Sequence, residues 1–294
     1  MRNEFQPSQM TDVVQQLVRL SRELAQPQND YVILSEGNTS LRIADGAMLV
    51  KASGASMVAA TAKDFVPVEI DELLSVVADP AAEESDVDRL YSAVAKEHRG
   101  SRPSVEALLH AVCLEIPAVA AVGHTHPTAV NVILCSLESH LLTQGSIFPD
   151  QIVVLGPEPL LVEYVDPGLA LARVVRERLA MYLEEFGVPP KVIYLQNHGM
   201  FALGQSTSEV LRITAMAVKT ARILLGAHAF GGVRFLPHTE VTRIHTRPDE
   251  IFRRVRFEGE GEAPGDSPDD SPAGAHRRLD AAASVAGERN QNHG

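Results

Sequence analysis

The sequence predicts one α/β domain of about 250 residues. Three observations predict it. Short β-like runs alternate with amphipathic helical stretches between residues 11 and 257. Apolar residues make up 45% of the chain and charged residues 22%, the balance of a globular protein long enough to bury a core. Beyond Phe257 the composition changes. FEGEGEAPGDSPDDSPAGAHRR is rich in Gly, Pro, Asp and Ser and cannot bury the apolar surface that folding requires. The expected organisation is a flexible N-terminus over 1–10, a folded unit over 11–257 and a disordered tail over 258–294.

The elements follow in order. Thr11 is placed to cap a helix running to Ala25, with Val13, Leu17, Leu20 and Leu24 at helical spacing and Pro27 as a stop. SEGNTSLRI and AMLVKASG read as strands joined by the turn ADG. Residues 78–103 are acidic and then mixed, with a helix expected around Leu90 to Lys96. The stretch Ser104 to Ile116 is a helix candidate with Val105, Leu108, Leu109 and Val112 on its core face and Pro103 at a tolerated first-turn position. PAVAAVGHTHP is a β-like run between prolines, and QIVVL and LLVEYV read as further strands. A long helix over 168–186 carries the stripe Leu171, Val174, Val175, Leu179, Tyr182 and Phe186, ended by Gly187 and Pro189–Pro190. KVIYLQNHGMFALG is strand, turn, strand, and Ser206-x-x-Glu209 opens a helix to about Leu225 as a capping box. The sequence shows no internal repeat.

Several function classes are excluded. The formal net charge of −12 argues against a nucleic-acid binder held by a broad basic surface. No apolar run reaches the roughly 18 residues of a membrane span. MRNEFQPSQM lacks the apolar centre of a secretory signal. Cys113 and Cys135 are isolated thiols, which points to no disulfide framework and to a reducing compartment. A cytoplasmic location is expected.

The strongest local signal is His124-Thr125-His126. In a strand, residues i and i+2 share a face, so the two imidazoles stand close enough to share one metal ion. The alternative is a pair of hydrogen-bonded, inert histidines. His198, in Gln196-Asn197-His198-Gly199, ends the run VIYL, and Gly199 permits a positive φ that re-aims the chain. A turn histidine is the alternative there. Three strand-end histidines suit a metal site with an open position, and imidazole favours zinc, with iron, nickel or cobalt also compatible. Glu106 falls on a helix flank, as a fourth ligand, a general base or a plain surface glutamate. His110, one turn on, reads as structural. Gly37-Asn38-Thr39-Ser40, Ser53-Gly54 and the helix start at Pro103-Ser104 offer N–H groups and short polar side chains to an anion, and Lys51 adds a charge. Ordinary turn chemistry explains the same residues.

Taken together, EGNTS, KASG, PSVEALLH, HTHP and QNHGMFALG, in that order over about residues 10–230, resemble the class II aldolase/adducin family. The resemblance implies an α/β three-layer α/β/α sandwich around a mainly antiparallel sheet, assembled as a homotetramer with its active site at a subunit interface. It implies metal ligation by His124, His126 and His198, with Zn2+ or another divalent ion such as Mn2+ or Co2+. It makes Glu106 the acid–base residue, and Asn38, Ser53, Gly54 and Ser104 phosphate-binding positions. The implied reaction is a lyase cleavage of a ketose phosphate through a metal-stabilised enediolate. Decarboxylation, epimerisation or dehydration of a sugar (acid) phosphate is the alternative on the same scaffold, and a non-catalytic adducin-like assembly module is another.

The chain departs from the fuculose-type pattern in two places. Val105 stands where a second phosphate-binding serine is expected, and Lys51 is positioned to offset it. The tyrosine proton donors are missing: tyrosines occur only at 31, 91, 164, 182 and 194. His140, His228 and His238 are the candidate substitutes.

Overall fold

The structure is a computed structural model that describes residues 7–44 and 46–247. The tail expected over 258–294 lies outside the described residues, as do positions 1–6 of the expected flexible N-terminus.

The chain runs α1 (Pro7–Leu24), β1 (Asn38–Ala44), β2 (Ala47–Lys51), β3 (Phe65–Glu69), α2 (Ile70–Ala78), α3 (Glu84–Glu97), α4 (Ala107–Leu114), β4 (Ala121–Thr125) and α5 (Thr128–Leu134). It continues through α6 (Pro149–Leu155), β5 (Leu160–Val162), α7 (Leu169–Phe186), β6 (Val192–Leu195), β7 (Gly199–Gly204), α8 (Thr207–His228) and α9 (His238–Thr246). The strands form one sheet in the order β3-β2-β1-β4-β7-β6-β5. Every pairing is antiparallel except β5 with β6.

Strand alternation sends successive side chains to opposite faces and so builds two cores. On one face Met48, Val50, Val122, Phe201 and Leu203 pack with α2, α3, α4 and α7. On the other, Leu41, Leu49, Ala121, Met200 and Ala202 pack with α1, α5 and α8. The architecture is the expected three-layer sandwich, with β4 and β7 at its centre.

Several elements differ from the sequence reading. The first helix begins at Pro7, so Thr11 lies inside it rather than at its cap. QIVVL is helical, within α6, not a strand: Pro149 occupies a first-turn position and Asp150 follows, and a four-residue apolar run has no periodicity to oppose that start signal. Val105 is 63% exposed rather than in the core, because α4 begins at Ala107 and Val105 precedes it. The helix at Ser206 is capped as expected, with Glu209 N–H donating to Ser206 Oγ at 3.2 Å. The Glu209 carboxylate, however, accepts from Gln205 N at 2.6 Å and pairs with Lys191. No described helix is long and apolar enough to cross a membrane.

Candidate active site

Three strand ends meet at one edge of the sandwich. His124 lies near the end of β4, opposite Asn38 of β1 and Phe201 of β7. Its ring stacks on Phe201 at 4.2 Å between centroids. His126 follows the strand, its N–H donating to Tyr31 O at 2.9 Å. His198 sits in the turn between β6 and β7, where Asn131 Nδ2 donates to His198 O at 3.0 Å. The positive φ in that turn belongs to Asn197 (56°), not to Gly199. Gly199 is required for another reason: a Cβ there would lie 2.6 Å from His126 Cδ2 and 2.7 Å from Thr125 O.

The three histidines each bring one nitrogen within 4.8 Å of the others. Their hydrogen bonds decide which nitrogen is bare. His124 Nδ1 donates to Met200 O at 3.0 Å, and His126 Nδ1 to Glu36 Oε2 at 3.3 Å. A carbonyl and an ionised carboxylate only accept, so both Nδ1 atoms carry a proton and each ring, when neutral, presents Nε2 as its lone-pair nitrogen. Those two Nε2 atoms face each other at 2.7 Å. Burial first, then His124 and His198, pushes the His126 pKa down to about 3, so His126 Nε2 is bare near neutrality. His198 Nε2 points to the same place, and its Nδ1 is buried without a hydrogen-bond partner among the described residues. Converging imidazole lone pairs fit a divalent cation.

Glu106 closes the cluster. It is the N-cap residue of α4 rather than a residue on the helix flank, and only 8% exposed. Oε1 lies 3.1 Å from His124 Nε2 and 2.9 Å from His198 Nε2. Oε2 accepts from Asn38 Nδ2 at 2.7 Å. Burial alone would raise its pKa. The charge and hydrogen bond of His124, with those of His198, outweigh burial and hold it well below the usual carboxylate range.

The anion-binding candidates gather beside Glu106. Ala52 bridges Pro103, Ser53 N–H donates to Arg102 O at 2.8 Å, and Ser104 N–H to Lys51 O at 3.0 Å. These contacts bring the KASG and PSVE segments together. Ser53 and Gly54 form an exposed lip, with Gly54 at φ 75° and open space where a Cβ would stand. Ser104 Oγ accepts from Asn38 Nδ2 at 3.0 Å. Lys51 is buried, its ammonium donating to Ala55 O at 2.7 Å; burial lowers its pKa, with Glu106 and Asp64 pulling it back.

The substitutes considered for the missing tyrosines lie elsewhere. His140 faces Glu138 at 3.5 Å, while His228 and His238 are exposed at the ends of α8 and α9. Tyr91 and Tyr182 donate to Val105 O and Glu158 O, and Tyr194 is fully buried. Two residues given no role from sequence stand in the cluster's surroundings. Glu36, within EGNTS, orients His126, and a cavity of about 380 Å³ opens beside the pair, lined also by Asp30, Val32, Thr128 and Val132. His110 contacts Asn38 and Ser40. Its four-residue spacing from Glu106 was the available signal.

The family profile of the class II aldolase and adducin N-terminal domain matches residues 15–225. The chain belongs to the class II aldolase and adducin family. Among solved structures, an L-fuculose 1-phosphate aldolase superposes with a TM-score of 0.60 at 20% identity, covering 83% of this chain and 97% of that one. Escherichia coli YgbL, a putative aldolase/epimerase/decarboxylase, gives 0.59 at 21% identity over 81% and 99%. These likenesses show a class II aldolase-like fold. Bacillus subtilis YuxG, an uncharacterized oxidoreductase, is 25% identical over 221 residues, which are 70% of this chain and 30% of that protein. The chain therefore spans less than a third of that relative.

Proposed function

We propose that this class II aldolase-family chain is a divalent-metal-dependent lyase that cleaves a ketose phosphate. One observation carries the reading: three imidazole nitrogens converge beside a buried carboxylate, two of them, on His124 and His198, within hydrogen-bond distance of it. His124, His126 and His198 would hold the ion, with zinc favoured by an all-imidazole set and manganese or cobalt as substitutes. When bound, the ion supplies Lewis acidity toward the substrate's oxygens as the carbon–carbon bond breaks. Glu106 takes and returns the proton at the adjacent carbon or hydroxyl. The Ser53–Gly54 lip and Ser104 receive the phosphate, and Lys51 contributes positive potential behind them.

Assembly as a homotetramer with an interfacial site is part of the proposal. Ile33, Leu34, Val58, Val105 and Val132 are exposed in segments near the histidine end of the sheet, and Leu34 holds a φ of 53°. A second copy of the chain is the natural cover for such a rim.

Decarboxylation of a sugar-acid phosphate is the second reading. It is favoured by the tyrosines: the hydroxyls of Tyr91 and Tyr182 are bonded to carbonyls outside the cluster, and carbon dioxide release needs no phenol to handle the hydroxyl proton lost as an aldehyde forms.

The test begins with elemental analysis of wild type beside His126→Ala. About one ion per chain, lost in the variant, supports the site. Dihydroxyacetone phosphate in D2O then reports proton exchange at its hydroxymethyl carbon by NMR. Metal-dependent exchange supports the aldolase reading. Carbon dioxide release from an oxo-tetronate phosphate without exchange favours the decarboxylase. A wild type that stays metal-free after reconstitution overturns both.

A further inference from the structure

Behind Glu106 runs a chain of three buried polar side chains. Asn38 and Ser40 are two residues apart on β1 and share a face. Glu106 and His110 are four apart, at the cap and within α4. Two strand residues advance about 6.6 Å and four helical residues about 6 Å, so the two pairs meet rung to rung. Asn38 Nδ2 donates to Glu106 Oε2 at 2.7 Å, His110 Nε2 contacts Asn38 Oδ1, and Ser40 Oγ lies 2.6 Å from His110 Nδ1. Asn38, Ser40 and His110 are 3%, 0% and 0% exposed.

The protons in this chain have one consistent arrangement. Ionised Glu106 only accepts, so the Asn38 amide must turn its nitrogen toward the carboxylate and its oxygen toward His110. His110 Nε2 must then carry a proton. Burial, helped by His124, pushes the His110 pKa down to about 3, so the ring is neutral and Nδ1 is bare. Ser40 supplies the hydroxyl that fills Nδ1. Losing His110 removes the donor at Asn38 Oδ1 and weakens the hold on an amide orientation that keeps its nitrogen on Glu106.

We propose that Ser40, His110 and Asn38 form a positioning relay that keeps one oxygen of Glu106 turned to the three histidines and the other held away from them. The relay separates the two roles open to a carboxylate beside a cation, acid–base group and ligand. It rests on the metal-lyase reading of Glu106. Asn38 is thereby a positioning residue, its amide committed to the carboxylate and to Ser104 rather than free for phosphate.

The test uses the full chain loaded with cobalt(II), as wild type, His110→Leu, His110→Gln and Ser40→Ala. A glutamine can donate where Nε2 does; a leucine cannot. The readouts are cobalt per chain, the visible cobalt spectrum, and kcat and KM for proton exchange into dihydroxyacetone phosphate. Expected are unchanged cobalt content and KM throughout and a fall in kcat of about 10- to 100-fold for His110→Leu, the range typical of lost outer contacts around a metal site. The His110→Leu spectrum should shift toward higher coordination as Glu106 swings onto the ion, and His110→Gln should recover most of both. Equal impairment of Leu and Gln would reduce His110 to packing and overturn the relay, as would no impairment of either. In the metal-free wild type, 15N shifts of His110 should show the Nε2–H tautomer; the Nδ1–H form overturns the relay whatever the activity. A wild type with neither cobalt nor exchange overturns the lyase reading, and the relay's purpose with it, whereas an active wild type with an indifferent His110 overturns the relay alone.

Discussion

The two ends of the central strands are built on opposite principles. Where β4 ends and β7 begins, buried positions hold His124, Asn38, Glu106 and His110, and the neighbouring turns carry Gly37 and Asn197 at positive φ. At the other end, a cavity of about 510 Å³ is lined by Val119, Val153, Leu155, Tyr182, Phe186 and Leu203, with Lys191, Gln205 and His245 among its polar residues. One end holds polar groups out of water, where each must find a partner. The other stabilises by apolar contact. The comparison teaches where stability and chemistry should separate under mutation.

The largest effects should be of opposite kinds at the two ends. Glu106→Gln should keep its metal and its fold and lose at least about 100-fold in proton exchange, as loss of an acid–base group does. Leu203→Ala removes a side chain only 2% exposed and should cost about 2–5 kcal/mol of stability by chemical denaturation, with exchange per folded molecule unchanged. Near-normal turnover in the first variant, or a rate defect in the second, would break the division between the ends.

Removal of the ion ranks next. A ligand that binds only the native state at 100 times its Kd stabilises by about 2.7 kcal/mol. Chelation should therefore lower Tm for wild type, while His126→Ala should show the same Tm with and without chelator.

The pattern of what the sequence revealed follows the same division. His124 and His126 were legible because i, i+2 spacing on a strand is a local fact, and the five ordered motifs resemble one family closely enough to imply the sandwich. What stayed hidden was set by tertiary contact. The sequence says nothing of the Ala52–Pro103 bridge that brings KASG beside PSVE. It gave Gly199 a turn conformation, whereas the fold uses its lack of a side chain against His126. His110 reads as structural from sequence, and its contacts with Asn38 and Ser40 arise only because β1 lies against α4. QIVVL differs from its strand reading because four apolar residues suit either a strand or a buried helix, and here they pack as part of α6.

A smaller effect should appear on acidification of the metal-free protein. His110 takes up a proton at about pH 3 in the fold and near 6.5 in the unfolded chain. Below pH 6.5 the unfolded state binds a proton that the native state refuses, so stability complete above 6.5 falls as pH drops toward 3. At pH 5 this one group accounts for about 2 kcal/mol. His126, also held at about 3, adds in the same direction. Glu106, whose pKa is depressed, adds its own loss only below its unfolded value of 4.5. Urea denaturation at pH 7.5 and 5 should show the drop in wild type and a shallower one in His110→Gln. Equal slopes would remove His110 as the cause.

A last pair of effects, the second of them the smallest, comes from one substitution made in two places. At Gly199 an added methyl meets His126 Cδ2 and Thr125 O well inside van der Waals contact, and His124 Cε1 at 3.3 Å. The backbone atom cannot yield cheaply, so Gly199→Ala should cost about 1–3 kcal/mol and displace His126 from its place beside His124, lowering metal affinity as well. At Gly226, inside α8, nothing lies within 4 Å of the new Cβ. Gly226→Ala should stabilise by up to about 1 kcal/mol, because alanine has less freedom to lose in a helix. Denaturation midpoints for both variants, with metal titrations of Gly199→Ala, read this out. Opposite signs tie the cost at Gly199 to the crowding of the histidines. A stable Gly199→Ala with wild-type metal affinity would mean the turn can yield, and that the histidine positions depend on Met200, Glu36 and Asn131 rather than on the glycine between them.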